Sequence, residues 1–501
     1  MERLSEATML NLPSPASRPT YDRNLLKGGV VHVGVGRFHR AHQVPAFETL
    51  AEHGDYRWGI VGASLRSPAV RDRLRPQDYL YGLIVDDGQT RRSEVLGSLL
   101  EIIVAGDDRD RLLGAIASPD AHIVTVTVTE KGYKLDPASG ALLTDDAAIR
   151  GDLANLASPR TLPGYLVAGL RRRKEHGLGP LTIISCDNMA DNGHKLRSVV
   201  VEVARAHDPS LGEWIEERCC FPNTMVDRIV PAMTESDLDS AAALLKLIDR
   251  ASVRTEPFMQ WVIEDAFASA RPELERAGVQ FTANVAPWER AKLRLLNGAH
   301  SVMAYVGGLA GISTVHEFVA QPWARELLDR LWDEVQPTLA TSTELNLADY
   351  RDQLMRRFAN SALKHRLMQI AMDGSQKLPQ RLVAPAVELI DKGHSPRILA
   401  LGIAAWMRWQ SGRNDLGHEI AVDDPISSTT RRIVDSSSTP QEQAMGLFSL
   451  ASVFPRRLRD DFGFTQLVTE YLANLQQMGA AATAQRLCVT LLGSPEGRCA
   501  K

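Results

Sequence analysis

The segment Gly29-Val-Val-His-Val-Gly-Val-Gly36 limits the fold more than any other stretch. A β-branched run without polar alternation suits a strand buried on both faces, as strands of a parallel sheet are. The glycines that close it open a tight turn, and Arg37 to Leu50 then reads as a helix. Three further strand candidates follow, Trp58 to Ala63, His122 to Thr129 and Leu181 to Ser185, with helical or loop stretches between them. That alternation predicts a doubly wound α/β domain.

From about Pro287 the texture changes to helix-period apolar residues with few β-branched runs, for example in Arg397 to Arg408. A chain of 501 residues is too long for one core. The expected fold is therefore α/β, with a Rossmann-type N-terminal domain over 1–285 and a mainly α-helical C-terminal domain over 286–501. Asp435 to Pro440 (DSSSTP) is expected to be a loop inside the second domain.

A formal net charge of -4, with no basic run beyond Arg171 to Lys174, gives no electrostatic sign of a nucleic-acid or anionic-membrane partner. Five cysteines without a CxxC pair make neither a disulfide framework nor a zinc pattern, which fits a reducing cytoplasm. The first 25 residues lack a basic start followed by an apolar stretch, and no apolar run approaches the roughly 20 residues that span a bilayer. A soluble, cytoplasmic protein acting on a small molecule is expected, its oligomeric state open and a monomer compatible.

In open α/β sheets, ligands bind beyond the carboxyl ends of the strands. After the first strand comes GVGRFHRAH (34 to 42), after the third Glu130-Lys131-Gly132-Tyr133, and after the fourth Cys186-Asp187-Asn188 and then Asp191-Asn192-Gly193-His194. Gly34 and Gly36 supply two glycines of a GxGxxG loop, with Arg37 and Phe38 opening the helix, while His39 takes the third glycine position. Such a loop lets backbone N–H groups approach a pyrophosphate; the plainer alternative is a simple strand-to-helix turn. His39 and His42 have no carboxylate or cysteine at ligand spacing, so no metal site is expected.

Chemistry without a metal needs a side-chain base. On a helix turning roughly 100° per residue, Lys292, Asn297 and His300 fall at about 0°, 140° and 80°, within one broad face. A lysine whose pKa is lowered by burial can take a hydroxyl proton, and asparagine N–H groups can steady the reacting oxygen. Asn188 and Asn297 are the asparagine pair. Read by spacing alone, Lys292 is more readily an exposed lysine on an amphipathic helix, and Asn297 to Ala299 a helix interruption.

Seven ordered motifs sharpen this reading: GVGRFHRAHQ (34 to 43), TVTEKGY (127 to 133), SCDNMADNGH (185 to 194), FPNTMVDRIVP (221 to 231), EPFMQWVIED (256 to 265), KLRLLNGAHS (292 to 301) and DGSQKLPQRL (373 to 382). Together they resemble the polyol-specific long-chain dehydrogenases, the mannitol dehydrogenase family, over about residues 25 to 460. The family includes mannitol 2-dehydrogenase and D-mannonate oxidoreductase, also called fructuronate reductase.

The resemblance implies a zinc-independent oxidoreductase that interconverts a sugar-derived secondary alcohol and its ketone. It implies a lysine base in K-x4-N-x2-H, here Lys292, Asn297 and His300, and an oxyanion asparagine at Asn188. It places Asp227 and Lys377 toward the cofactor and substrate, and Glu130 near the nicotinamide. Glu289, three residues before Lys292, is either a proton relay or a surface pair. The family leans toward NAD; Ser64 to Pro68 offers no acid for the adenosine ribose and Arg66 would tolerate a 2′-phosphate, so NADP stays open.

Gln369 stands where mannitol-type members resemble one another in carrying an arginine. The wording QIAMDGSQKLPQRL looks closer to fructuronate reductases, which favours D-mannonate and D-fructuronate over D-mannitol and D-fructose or D-arabinitol. A carboxylated substrate would call for a cation, and Arg366, Lys377 or Arg381 is available. A protein of another class, sensing dinucleotides without chemistry, would keep the cleft and lack turnover.

Overall fold

In the computed structural model, Val30–Val33 forms the central strand β1 of a five-stranded parallel sheet. The others are β2 (Ile60–Ser64), β3 (Leu99–Val104), β4 (Ile123–Val126) and β5 (Thr182–Ser185), in the order β3-β2-β1-β4-β5. The order reverses between β1 and β4, the point at which a doubly wound sheet opens a crevice at its carboxyl edge. Every residue of β1, β4 and β5 is buried. Val31 and Val33 pack into a core that includes Leu166 and Val199, whereas Val30 joins Phe47, Trp58 and Trp261 in another. Two covered faces explain why the strand shows no polar alternation.

The structure describes residues 1–136, 140–340 and 345–492. They fall into two compact units, Met1–Ala286 and Pro287–Lys501. The first contains more strands than the four expected. Besides β3, it has two three-stranded sheets, one joining Tyr81–Asp86, Arg91–Leu96 and Val253–Thr255, the other Thr224–Asp227, Gln260–Glu264 and Gln280–Thr282. The hairpin between Tyr81–Asp86 and Arg91–Leu96 turns at Asp87-Gly88, where Gly88 has φ 88°. Its second strand begins with exposed Arg91 and Arg92, and that polar start masks it in the sequence.

Arg173, from the one basic run, is buried on the helix Leu162–Glu175 and donates to the carbonyls of Ile116, Ser118 and Gly179. Its charge serves the packing of the unit.

Every named element among the second unit's described residues is a helix. Its helix Arg397–Trp409 is buried from Ile398 through Met407 and packs against Phe462–Met478 and Ala324–Val335. The expected DSSSTP loop is shorter than read: Ser437 to Thr439 connect two helices whose ends take up Asp435, Ser436 and Pro440. The helix Ser427–Ser436 runs into it, and Thr439 caps Pro440–Phe448 by accepting the Glu442 N–H at 3.1 Å. Thr-Pro at the N-cap and first helical position is a helix start signal. No helix among the described residues is long and apolar enough to cross a membrane.

Candidate active site

The loop after β1 is shaped by one glycine and left open by another. Gly34 has φ 102°, and a Cβ there would lie 2.1 Å from the Thr127 carbonyl oxygen, so only glycine fits. Gly36 is the N-cap of α1 (Arg37–Glu52) in extended conformation, and its Cβ would come no nearer than 3.7 Å to another atom. The protein therefore does not itself require glycine at 36. The first bond into α1 is Arg40 N–H to the Gly36 carbonyl at 3.2 Å, which leaves the N–H groups of Arg37, Phe38 and His39 as unused donors at the positive end of a 16-residue helix. These features fit a dinucleotide pyrophosphate.

His39, in the third glycine position, is buried and stacks on His32 of β1 with ring centroids 3.3 Å apart. Strand-to-helix packing here uses two flat rings instead of a glycine. His42 meets the Gln260 carbonyl at 2.8 Å through Nε2 and the Gln43 side chain at 2.9 Å through Nδ1. Among the described residues no group of three or more His, Cys, Asp or Glu side chains is arranged to hold a metal ion.

The ends of β4 and β5 are tied together by Asp187. Its carboxylate accepts the Val128 N–H at 3.0 Å, the Thr129 N–H at 2.9 Å and the Tyr133 hydroxyl at 2.7 Å. Burial nevertheless pushes its carboxyl above the usual aspartate value. Asn188, the next residue, is exposed at the carboxyl edge of the sheet, as is Glu130 at the start of the Glu130–Tyr133 turn. Asn192 is fully buried; its amide donates to the carbonyls of Asp187 at 3.1 Å and Thr224 at 3.0 Å and accepts the Thr224 N–H at 3.0 Å. It thereby links the Asn188 loop to the strand Thr224–Asp227, whose last residue, Asp227, is also buried.

Lys292, Asn297 and His300 are buried at 9%, 9% and 8% exposure. They do not lie on a uniform α-helix. Ala286–Ala291 is α-helical, Lys292–Asn297 is a π-helix, and Gly298–Val302 is α-helical again. The wider turn, with i→i+5 hydrogen bonds, brings Asn297 back over Lys292 more closely than the 140° of an α-helix would. His300 contacts the rings of Phe358 and His365 at 5.3 and 5.1 Å, and its Nε2 has no hydrogen-bond partner. Burial, followed by the charges of His365, Arg381, Arg357 and Lys292, holds its pKa well below the ordinary value. A neutral imidazole offers one donor and one acceptor. Glu289 is half-buried, one turn before Lys292.

The remaining predicted residues separate by environment. Arg366 is exposed at the N-cap of Leu367–Ala371, and Gln369 is exposed within that helix. Lys377, on Gly374–Leu378, is half-buried and gives its ammonium to the carbonyls of Ile370 and Met372. Arg381 lies in a further π-helical turn, Pro379–Val383, which packs on the Lys292 helix: a Cβ on Gly298 would sit 3.4 Å from the Arg381 carbonyl oxygen. Burial lowers the Arg381 guanidinium to about 10. Asp187, Asn192 and Tyr133 have no role in the motifs read from sequence; their place past the strand ends is the signal that marks them.

Residues 28–276 match the family model for the mannitol dehydrogenase Rossmann domain, and residues 284–476 match that for the mannitol dehydrogenase C-terminal domain. The D-mannonate oxidoreductase of Escherichia coli (strain K12) is 40% identical over 490 residues, covering 97% of this chain and 100% of that protein. A mannitol 2-dehydrogenase of Phaeosphaeria nodorum is 39% identical over 472 residues, covering 93% of this chain and 82% of that protein. Among solved structures, the Pseudomonas fluorescens mannitol 2-dehydrogenase in ternary complex with NAD and D-mannitol has a TM-score of 0.85 at 33% identity, covering 97% of this chain and 99% of that one.

Proposed function

Since the chain belongs to the mannitol dehydrogenase family and is thus an oxidoreductase acting on a CH–OH group, we propose that it interconverts D-mannonate and D-fructuronate with NAD. The observation that carries the chemistry is the buried π-turn that pairs Lys292 with Asn297 beside a neutral His300. The nicotinamide, when bound, supplies the acceptor for the hydrogen and electron pair that leave C5. Gly34, Gly36 and the N–H groups of Arg37, Phe38 and His39 would hold the dinucleotide's pyrophosphate, with Glu130 and Asp227 assigned to its nicotinamide side.

In oxidation, Lys292 Nζ takes the C5 hydroxyl proton as the C–O bond becomes a carbonyl; in reduction, the ammonium returns it. Asn297 donates its amide N–H to the oxygen as its charge changes, the task that the family resemblance also assigns to Asn188. His300 Nε2, with no protein partner, orients the hydroxyl. Glu289, one helical turn from Lys292, is assigned the relay that restores the base. Lys377 holds the backbone that follows Gln369, through the Ile370 and Met372 carbonyls, and so shapes the substrate side.

A second reading keeps this mechanism and exchanges the substrate for D-mannitol or D-arabinitol. It is supported by the full-length similarity to mannitol 2-dehydrogenases. Assays of fructuronate, tagaturonate, fructose and xylulose with NADH and NADPH separate the readings. Fructuronate with NADH should give the highest kcat/KM. A higher value for fructose or xylulose replaces the substrate, and NADH binding without any turnover replaces the enzyme with a sensor.

A further inference from the structure

Three buried arginines of this protein each reach two or more acceptors. Arg173 reaches three carbonyls, Arg294 reaches Glu388 and the Thr338 carbonyl, and Arg40 reaches the carbonyls of Gly36 and Ala251. Arg381, half-buried, makes a single long hydrogen bond, Nη1 to Ser301 Oγ at 3.4 Å. Among the described residues no carboxylate pairs with it. A guanidinium carries five N–H donors, so that one long bond leaves most of the Arg381 donors for a ligand. Spare donors in a fixed fork match a carboxylate, which Arg binds through two parallel bonds.

The position of that fork is specific. Asn297 follows Lys292 by one π-turn, and Ser301 follows Asn297 by one α-turn, so the Arg381 tip meets the same helix face about 5.4 Å beyond Asn297. In a hexonate, C1 and C5 are separated by four carbon–carbon bonds of about 1.5 Å, or about 5 Å end to end. A C5 oxygen held at Lys292 and Asn297 therefore puts C1 at the level of Ser301. Of the other two cations near this sequence, Lys377 is already engaged by carbonyls and Arg366 is exposed.

We propose that the Arg381 guanidinium binds the C1 carboxylate of a hexonate or hexulosonate and so selects acids over neutral polyols. This rests on the dehydrogenase reading above. A neutral CH2OH group at the same place would leave the guanidinium without its counter-charge, which is the basis of discrimination.

The test compares wild type, R381Q and R381K with fructuronate and fructose as substrates and NADH as reductant, with thermal melts to check folding. R381Q should lower kcat/KM for fructuronate about 100-fold, mainly through KM, with a loss for fructose at least tenfold smaller. R381K, keeping charge without the fork, should fall between. Equal losses for both substrates, or a fructuronate loss under about twofold, overturn the assignment. A wild type that reduces fructose but not fructuronate also overturns it while leaving the dehydrogenase reading intact. A wild type inert toward both removes the dehydrogenase reading; calorimetric binding of D-mannonate to wild type and R381Q then decides Arg381, with equal affinity overturning it.

Discussion

Asn297 lies one π-helical turn after Lys292, and both residues are 9% exposed. This pairing gives the amide a place at the oxygen whose proton Lys292 handles. Removing one such preorganised donor costs roughly 10²–10³-fold in turnover. Asn297→Ala should therefore lower kcat by about that factor with NADH affinity preserved, as read by single-turnover kinetics and fluorescence titration. Loss of NADH affinity with normal turnover would move Asn297 from the reacting oxygen to the cofactor.

Gly34 and Gly36 should respond to alanine in opposite ways. At Gly34 a Cβ would meet the Thr127 carbonyl oxygen at 2.1 Å with φ at 102°, so Gly34→Ala should destabilise the protein by about 2 kcal/mol or more. At Gly36 the Cβ has room, 3.7 Å from its nearest atom, so Gly36→Ala should melt like wild type yet bind NADH at least tenfold more weakly. Paired melting curves and NADH titrations check this. Unchanged NADH binding by Gly36→Ala would mean that the loop does not approach the pyrophosphate.

Glu48 predicts a pH dependence of stability. It is 2% exposed on α1 and accepts the Gly97 N–H at 3.0 Å, the Ser98 N–H at 2.7 Å and the Tyr21 hydroxyl at 2.8 Å. Burial still pushes its carboxyl from 4.5 to about 7. Because the folded value is raised above the unfolded one, its contribution is fully present below 4.5 and is lost as pH rises through about 7. At 1.36 kcal/mol per pKa unit the loss is roughly 3 kcal/mol. Urea unfolding at pH 5 and pH 8 should show Glu48→Gln losing less stability than wild type over that interval. Glu334, also raised to about 7, is present in both proteins and cancels in the difference. Parallel pH curves for the two proteins would show that the Glu48 carboxylate is not destabilised in the fold.

Much of the fold was legible in local pattern. Val30 to Val33 announced a strand buried on both faces, and Gly34 and Gly36 announced its turn. The strands at Arg91–Leu96 and Thr224–Asp227 were harder to see, since one begins with exposed arginines and the other is a short antiparallel element whose partner, Gln260–Glu264, lies far along the chain. In the site, residue types were readable but local helix form was not. No propensity distinguishes a π-turn at Lys292 from an α-turn, because the wider turn depends on packing with elements such as Pro379–Val383. For the same reason sequence could offer three cations for a carboxylate, and only the tertiary hydrogen bonds separate Arg381 from Lys377 and Arg366.

The assignment of Lys292 as the base is the claim on which the rest depends, and Lys292→Ala tests it most directly. General acid–base catalysis by one side chain contributes about 10²–10⁴-fold. With fructuronate and NADH, the variant should lose at least about 100-fold in kcat, keep NADH affinity within about twofold, and regain activity when a small primary amine is added. A kcat within tenfold of wild type would contradict the account.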